Sequence, residues 1–230
     1  MTALVMPNAD VLIWQGELSG IPLHRQRELL SPAELARARR YRRWQDAERY
    51  VKARGTLRRV LAQCTGVPAD ALLITDHGEK PALRDYPRLF FNATRSGGHL
   101  AIAVAETPIG IDLESIRHDV DNADVARSYF HTSECAALGR LTGHHRSVGF
   151  YRIWTQKEAF VKALGCGVSK SLTSFAVDSE GGAIVCPTEP QTDRAWFGTP
   201  IDAIPGFCLA LVSRFPKPTI EISELSRDDE

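Results

Sequence analysis

The chain has 230 residues, 43% hydrophobic and 24% charged, with 28 basic and 28 acidic side chains and a formal net charge of zero. Such a chain can bury the core of one large domain or two small ones. The balanced charge, with no RNP, zinc-finger or helix-turn-helix signature, argues against nucleic acid, and no apolar run is long enough to span a membrane.

Taken in order, residues 11–18 alternate apolar and polar positions and predict a first strand. Ser31-Pro32-Ala33-Glu34 combines a capping serine, a proline at the first helical position and a glutamate three residues on, which predicts a capped helix start. A break near residues 45–46, with Asp46 as cap, predicts a second helix running to Cys64 and stopped by Gly66 and Pro68. Residues 72–75 read as a short strand and 77–81 as a turn and loop. Residues 90–94, 100–105 and 109–114 read as three strands. Helices are expected over 125–130, 134–141 and 148–164, the last ended by Gly165. Strand-like pieces follow at 174–178, 184–187 and 207–213, and residues 226–230 read as a frayed tail. The pattern predicts an α+β protein.

The first ten residues lack the basic and apolar segments of a secretory signal. Five dispersed cysteines (Cys64, Cys135, Cys166, Cys186 and Cys208) contain no C-x-x-C pair. They read as reduced thiols of a cytoplasmic protein. Charge is neutral only on average: residues 25–59 hold twelve Lys or Arg against four Asp or Glu. A block of this kind forms a solvated helix face, or collects phosphates or an acidic protein.

Three segments carry chemistry. In Gly110-Ile111-Asp112-Leu113-Glu114 the two acids lie two apart on a strand and share a face, opposite Ile111 and Leu113. Paired carboxylates repel unless a cation or proton lies between them, and oxygen donors favour a hard ion such as magnesium. An isolated D-x-E also fits an ordinary polar strand face. In Trp154-Thr155-Gln156-Lys157-Glu158-Ala159-Phe160-Val161-Lys162, positions 154, 158 and 162 form one helical stripe. That stripe offers a third carboxylate and an ammonium, or a plain surface ion pair. Phe91-Asn92-Ala93-Thr94-Arg95-Ser96-Gly97-Gly98-His99 supplies hydroxyls, a guanidinium and glycines after a strand, which suits either a phosphate-binding turn or a polar hairpin. Ser96 and His99 lack the G-x-S-x-G elbow of a hydrolase.

The order F-N-x-T-x-S, G-I-D-x-E, W-x-x-K-E-x-x-x-K, with Gly78-Glu79-Lys80-Pro81 upstream, closely resembles the Sfp-type phosphopantetheinyl transferases. The resemblance implies two similar α+β halves related by a pseudo-twofold, placed at 1–106 and 107–225 with a tail at 226–230. It implies a monomeric cytoplasmic enzyme of secondary-metabolite biosynthesis. Its reaction would move the phosphopantetheine arm of coenzyme A onto a serine of an acidic apo acyl or peptidyl carrier protein, with magnesium. By resemblance Asp112, Glu114 and Glu158 hold the metal, and Glu158, Lys162 and Asp112 are catalytic. Arg49, Lys80, Thr94, Arg95 and Lys162 contact coenzyme A. Trp154 and Lys157 look like structural and positioning members of the motif, and Glu134 is similar to a further acid near the metal. The family turn carries a histidine where this chain has Arg95. Glu34 stands at a position where the family is basic, leaving Arg37 to serve.

Overall fold

In the computed structural model, which describes residues 9–75, 80–119, 121–165, 170–185 and 195–225, short apolar segments pair into two four-stranded sheets. The chain begins with β1 (Val11–Glu17), α1 (Leu23–Glu28), α2 (Pro32–Ala38) and α3 (Trp44–Thr65). The short strands β2 (Ile74–Thr75) and β3 (Ala82–Leu83) precede a hairpin of β4 (Phe90–Ser96) and β5 (His99–Ala105). Next come β6 (Gly110–Ser115), α4 (Ala123–Tyr129), α5 (Thr132–Leu138) and α6 (Gly143–Leu164). The chain continues through β7 (Gly182–Ala183), β8 (Phe197–Ile201), β9 (Phe207–Ser213) and β10 (Ile220–Glu224).

One sheet has the order β10-β1-β5-β4 and the other β6-β9-β8-β7, while β2 and β3 pair with each other. In each sheet the strand ahead of the helices runs antiparallel to a later strand, β1 to β5 and β6 to β9. β10 returns to lie parallel to β1. The period-2 alternation of β5 serves two cores. Leu100, Ile102 and Val104 pack with Leu57, Val60 and Leu61 of α3. Ala101, Ala103 and Ala105 pack with Ile111, Leu113, Leu209 and Leu211 of the second sheet. α6 covers the far side, its Phe150, Ile153 and Phe160 packing with Cys208 and Val212. The layers are therefore α3, sheet, sheet and α6, a mixed α+β arrangement.

Two buried cations lock the long helices to the short helices before them. The Ser31–Glu34 capping box is formed as expected, but the Glu34 carboxylate also takes the guanidinium of Arg54 and, at 2.7 Å, that of Arg58. Those bonds, with the Ser31 N–H, hold Glu34 below its ordinary value although burial pushes the other way. Arg58 also donates to the carbonyls of Ala69 and Leu72. On α6, Lys157 pairs with Glu134 at 2.9 Å and donates to the carbonyls of Leu172 and Phe175. Glu134 closes a second capping box, with His131 in place of serine.

Several boundaries differ from expectation. α3 begins at Trp44 with Arg43 at the cap, so Asp46 lies inside its first turn. α6 begins at Gly143, five residues early, and its added first turn is exposed, so it carries no apolar periodicity to read. α1, β8 and β10 were not anticipated. Residues 172–174 form a 3₁₀ turn and Ala176 makes a single bridge to Val185, so the expected strand over 174–178 is not formed. Within 184–187 the strand pairing moves back to Gly182–Ala183, while 186–187, most of the 77–81 turn and the 226–230 tail lie outside the described residues.

Candidate active site

β6 pairs with β9 along one edge only, so its alternate N–H groups at Ile111, Leu113 and Ser115 face away from the sheet. Unpaired backbone donors at an inner edge are costly unless something accepts from them. β4 of the other sheet supplies the acceptors from alternate side chains. Ile111 N–H meets Asn92 Oδ1 at 2.9 Å, Leu113 N–H meets Thr94 Oγ1 at 3.3 Å and Ser115 N–H meets Ser96 Oγ at 3.1 Å. The same hydroxyls donate to the acids: Thr94 to Asp112 Oδ1 at 3.0 Å and Ser96 to Glu114 Oε2 at 2.8 Å. The N-x-T-x-S and I-D-L-E-S segments are thus two halves of one joint.

α6 lies directly on the other face of β6. A Cβ at Gly110 would sit 1.9 Å from the Ala159 carbonyl oxygen and 2.6 Å from Ala163 N, so only glycine permits this approach. It brings Glu158 and Lys162, one helical turn apart, over the acids of β6. The Lys162 ammonium bonds Asp112 Oδ1 and reaches Thr94 Oγ1 at 3.3 Å. Burial pushes the Asp112 carboxyl above the ordinary value, and Lys162 only partly offsets it. Glu114 is raised by burial and by the Asp112 charge, against the pull of Ser96. Glu158 is raised by burial and by both other acids, with Lys162 opposing. Three acids therefore repel one another around one ammonium. Asp112 Oδ2 is buried without a hydrogen-bond partner. Among the described residues, no three His, Cys, Asp or Glu groups close into a metal cage.

Beside this cluster, a groove of about 400 Å³ is lined by Tyr41, Arg49, Arg95, Ser96 and the Gly97-Gly98 turn. Both glycines have positive φ, 55° and 87°, as a two-residue hairpin turn demands. Ser96 belongs to both places, lining the groove and holding Glu114. The structure therefore gathers Arg49 and Arg95 at one end and Asp112, Glu114, Glu158 and Lys162 at the other. Sequence reasoning passed over Tyr41 and over the pairing of Asn92, Thr94 and Ser96 with β6. The spacing of the two motifs, polar at alternate positions in both, was the available signal.

Other expected residues fall elsewhere. Thr94 is buried, and its hydroxyl is already engaged by Asp112, Leu113 and Lys162. The Lys80 ammonium turns onto the Ile109 carbonyl, where burial pulls it down to about 8. Lys80 does not line the Arg49–Arg95 groove. Glu134 is no metal-side acid: its oxygens take Lys157 and the N–H groups of His131 and Val177. Lys157 is held in a buried ion pair, and Trp154 stacks on Phe150 of α6 and meets the Tyr129 ring edge-on. Glu34 is structural as well, and Arg37 lies 5.4 Å over the Tyr50 ring. A second cavity of about 400 Å³, lined by Asp121, Arg127, Cys135, Arg146 and Phe150 among others, contains none of the expected site residues.

Comparison with known proteins accords with this geometry. The family model of the 4'-phosphopantetheinyl transferase superfamily matches residues 108–212, the stretch carrying β6 and α6. The slr0495 protein of Synechocystis sp. (strain ATCC 27184 / PCC 6803 / Kazusa) is 36% identical over 154 residues, 65% of this chain and 63% of its own length. The 4'-phosphopantetheinyl transferase psf-1 of Bacillus pumilus is 32% identical over 141 residues, 61% of this chain and 60% of its own. The chain thus spans under two thirds of these two relatives. The 4'-phosphopantetheinyl transferase HetI of Nostoc sp. (strain PCC 7120 / SAG 25.82 / UTEX 2576) is 34% identical over 205 residues, 83% of this chain and 84% of its own. With a match of that extent and a joint built from the motifs themselves, the chain belongs to the 4'-phosphopantetheinyl transferase superfamily.

Proposed function

We propose that this chain is a magnesium-dependent 4'-phosphopantetheinyl transferase that loads the arm of coenzyme A onto a serine of an apo acyl or peptidyl carrier protein. The observation that carries the reading is the cluster of Asp112, Glu114, Glu158 and Lys162 beside a groove lined by Arg49 and Arg95. The pseudo-twofold of two halves, 1–106 and 107–225, is part of the same proposal. Its support is the shared order of three strands, β1-β5-β4 and β6-β9-β8, and the paired buried locks at Glu34–Arg58 and Glu134–Lys157, while β10 crosses from the second half to pair with β1 of the first. The active site then lies where β4 of one half meets β6 of the other.

The donor set fits magnesium. Asp112 offers an orphaned buried oxygen, and Glu114 and Glu158 are carboxylates raised by burial and by the neighbouring acid charge, so every donor is the oxygen that this ion prefers. When bound, the ion would neutralise charge on the pyrophosphate. Arg49 and Arg95 would hold coenzyme A phosphates in the groove. Glu158 would take the proton of the carrier serine as its oxygen bonds the pantetheine-side phosphorus. The bond from that phosphorus to the bridging oxygen breaks, and adenosine 3',5'-bisphosphate leaves with the electron pair. Lys162 would offset negative charge on the phosphate oxygens, so that positioning and electrostatics supply the acceleration. An acidic carrier suits the basic block of residues 25–59. The proposed setting is a monomer in the cytoplasm serving secondary-metabolite biosynthesis.

The test is the intact mass of an apo carrier protein incubated with the chain, coenzyme A and magnesium. The expected result is a gain of one phosphopantetheine, lost with a chelator and lost in Asp112→Ala, whose circular dichroism stays that of the folded chain. An unmodified carrier beside free phosphopantetheine would instead mark a hydrolase. Coenzyme A binding without transfer to any carrier class would mark a binding module.

A further inference from the structure

We infer that Thr94 and Ser96 are positioning residues that aim the Asp112 and Glu114 carboxylates, rather than contacts to coenzyme A. The inference rests on the reading of those acids as metal ligands. A hydroxyl has one proton to give. The lone pairs of Thr94 Oγ1 and Ser96 Oγ accept from the N–H groups of Leu113 and Ser115, and their protons go to Asp112 Oδ1 and Glu114 Oε2. In each case the N–H belongs to the residue that follows the acid on β6. One hydroxyl therefore grips a carboxylate and its adjoining peptide together, a two-point clamp that restricts rotation of the acid.

The clamp is one-sided. Thr94 and Lys162 both engage Asp112 Oδ1, which leaves Oδ2 free of partners. Ser96 engages Oε2 of Glu114 and no hydrogen bond is formed at Oε1 among the described contacts. Each acid is thus fixed through one oxygen and offers the other. Groups behind a ligand set its orientation, and losing one typically costs 10–100-fold in metal affinity. The third rung of the joint supplies an internal control. Asn92 accepts from Ile111 N–H but touches neither acid, so it contributes to the sheet joint alone.

The experiment is calorimetric titration of manganese(II) alone into the full chain, with thermal unfolding followed in parallel. Thr94→Val and Ser96→Ala should weaken manganese binding by about tenfold or more, while Thr94→Ser, which restores the hydroxyl, stays within about twofold of wild type. Asn92→Ala should lower the unfolding temperature yet leave manganese affinity unchanged. Wild-type affinity in both hydroxyl variants would overturn the inference. So would an equal loss in Asn92→Ala, since the effect would then belong to the joint as a whole. A wild-type chain that binds no manganese would instead sink the ligand assignment itself, so the two failures are distinguishable.

Discussion

Replacing Lys157 by methionine tests the buried lock under α6. Lys157 is fully buried and its ammonium serves Glu134 Oε2 at 2.9 Å and the carbonyls of Leu172 and Phe175 at 2.8 and 2.7 Å. Methionine preserves the stem and removes every donor. Stripping one partner from a buried ion pair costs about 3–5 kcal/mol, because the other charge is left uncompensated. Glu134 keeps the N–H groups of His131 and Val177, at 2.7 and 2.8 Å, which places the expected loss at the lower end, about 3 kcal/mol. That is a large fraction of the 5–15 kcal/mol of a typical domain. Urea denaturation monitored by tryptophan fluorescence would measure it. Glu134→Gln combined with Lys157→Met should cost less than the sum of the single changes, with a coupling of about 1–3 kcal/mol. A loss below about 1 kcal/mol for Lys157→Met, or strict additivity, would refute the claim that this pair locks α5 to α6.

Further outcomes follow from the same geometry. Gly110→Ala forces a Cβ into the α6 backbone 1.9 Å away and should cost about 3 kcal/mol or more, read as a lowered denaturation midpoint together with lost transfer activity. Arg95→His should make coenzyme A affinity fall as pH rises through about 6.5, where the wild-type guanidinium gives no such step; titrations at about pH 6 and 8 would reveal it. Burial lowers Lys80 from 10.5 to about 8, so between those values the unfolded chain binds more protons and stability should rise with pH. In Lys80→Met that rise should vanish, and denaturation midpoints on either side of the window would check it.

Much of the site was legible because its parts are local. Asp112 and Glu114 share a face through the period of a strand, and Glu158 and Lys162 share a stripe through the period of a helix. The Ser31–Glu34 box formed as read because capping involves four consecutive residues. Glu134 was misjudged for the complementary reason. An acid near a metal and an acid closing a capping box look alike until the partner is known, and Lys157 is 23 residues away in the sequence and 2.9 Å away in space. Asp46 failed as a cap because the helix starts earlier, at Trp44 behind Arg43, which places Asp46 inside the first turn.

By itself, then, the sequence determined the mixed α+β character, the motif order and the identity of the acids and basic residues to watch, since periodicity and composition act over a few residues. Tertiary structure decided which of them meet. β4 and β6 belong to different sheets, and their joint exists because the outward N–H groups of β6 need acceptors that Asn92, Thr94 and Ser96 supply. Only that long-range satisfaction of backbone donors sets Asp112 and Glu114 beside the Arg49–Arg95 groove, and the bare face of Gly110 is what lets α6 bring Glu158 and Lys162 down upon them.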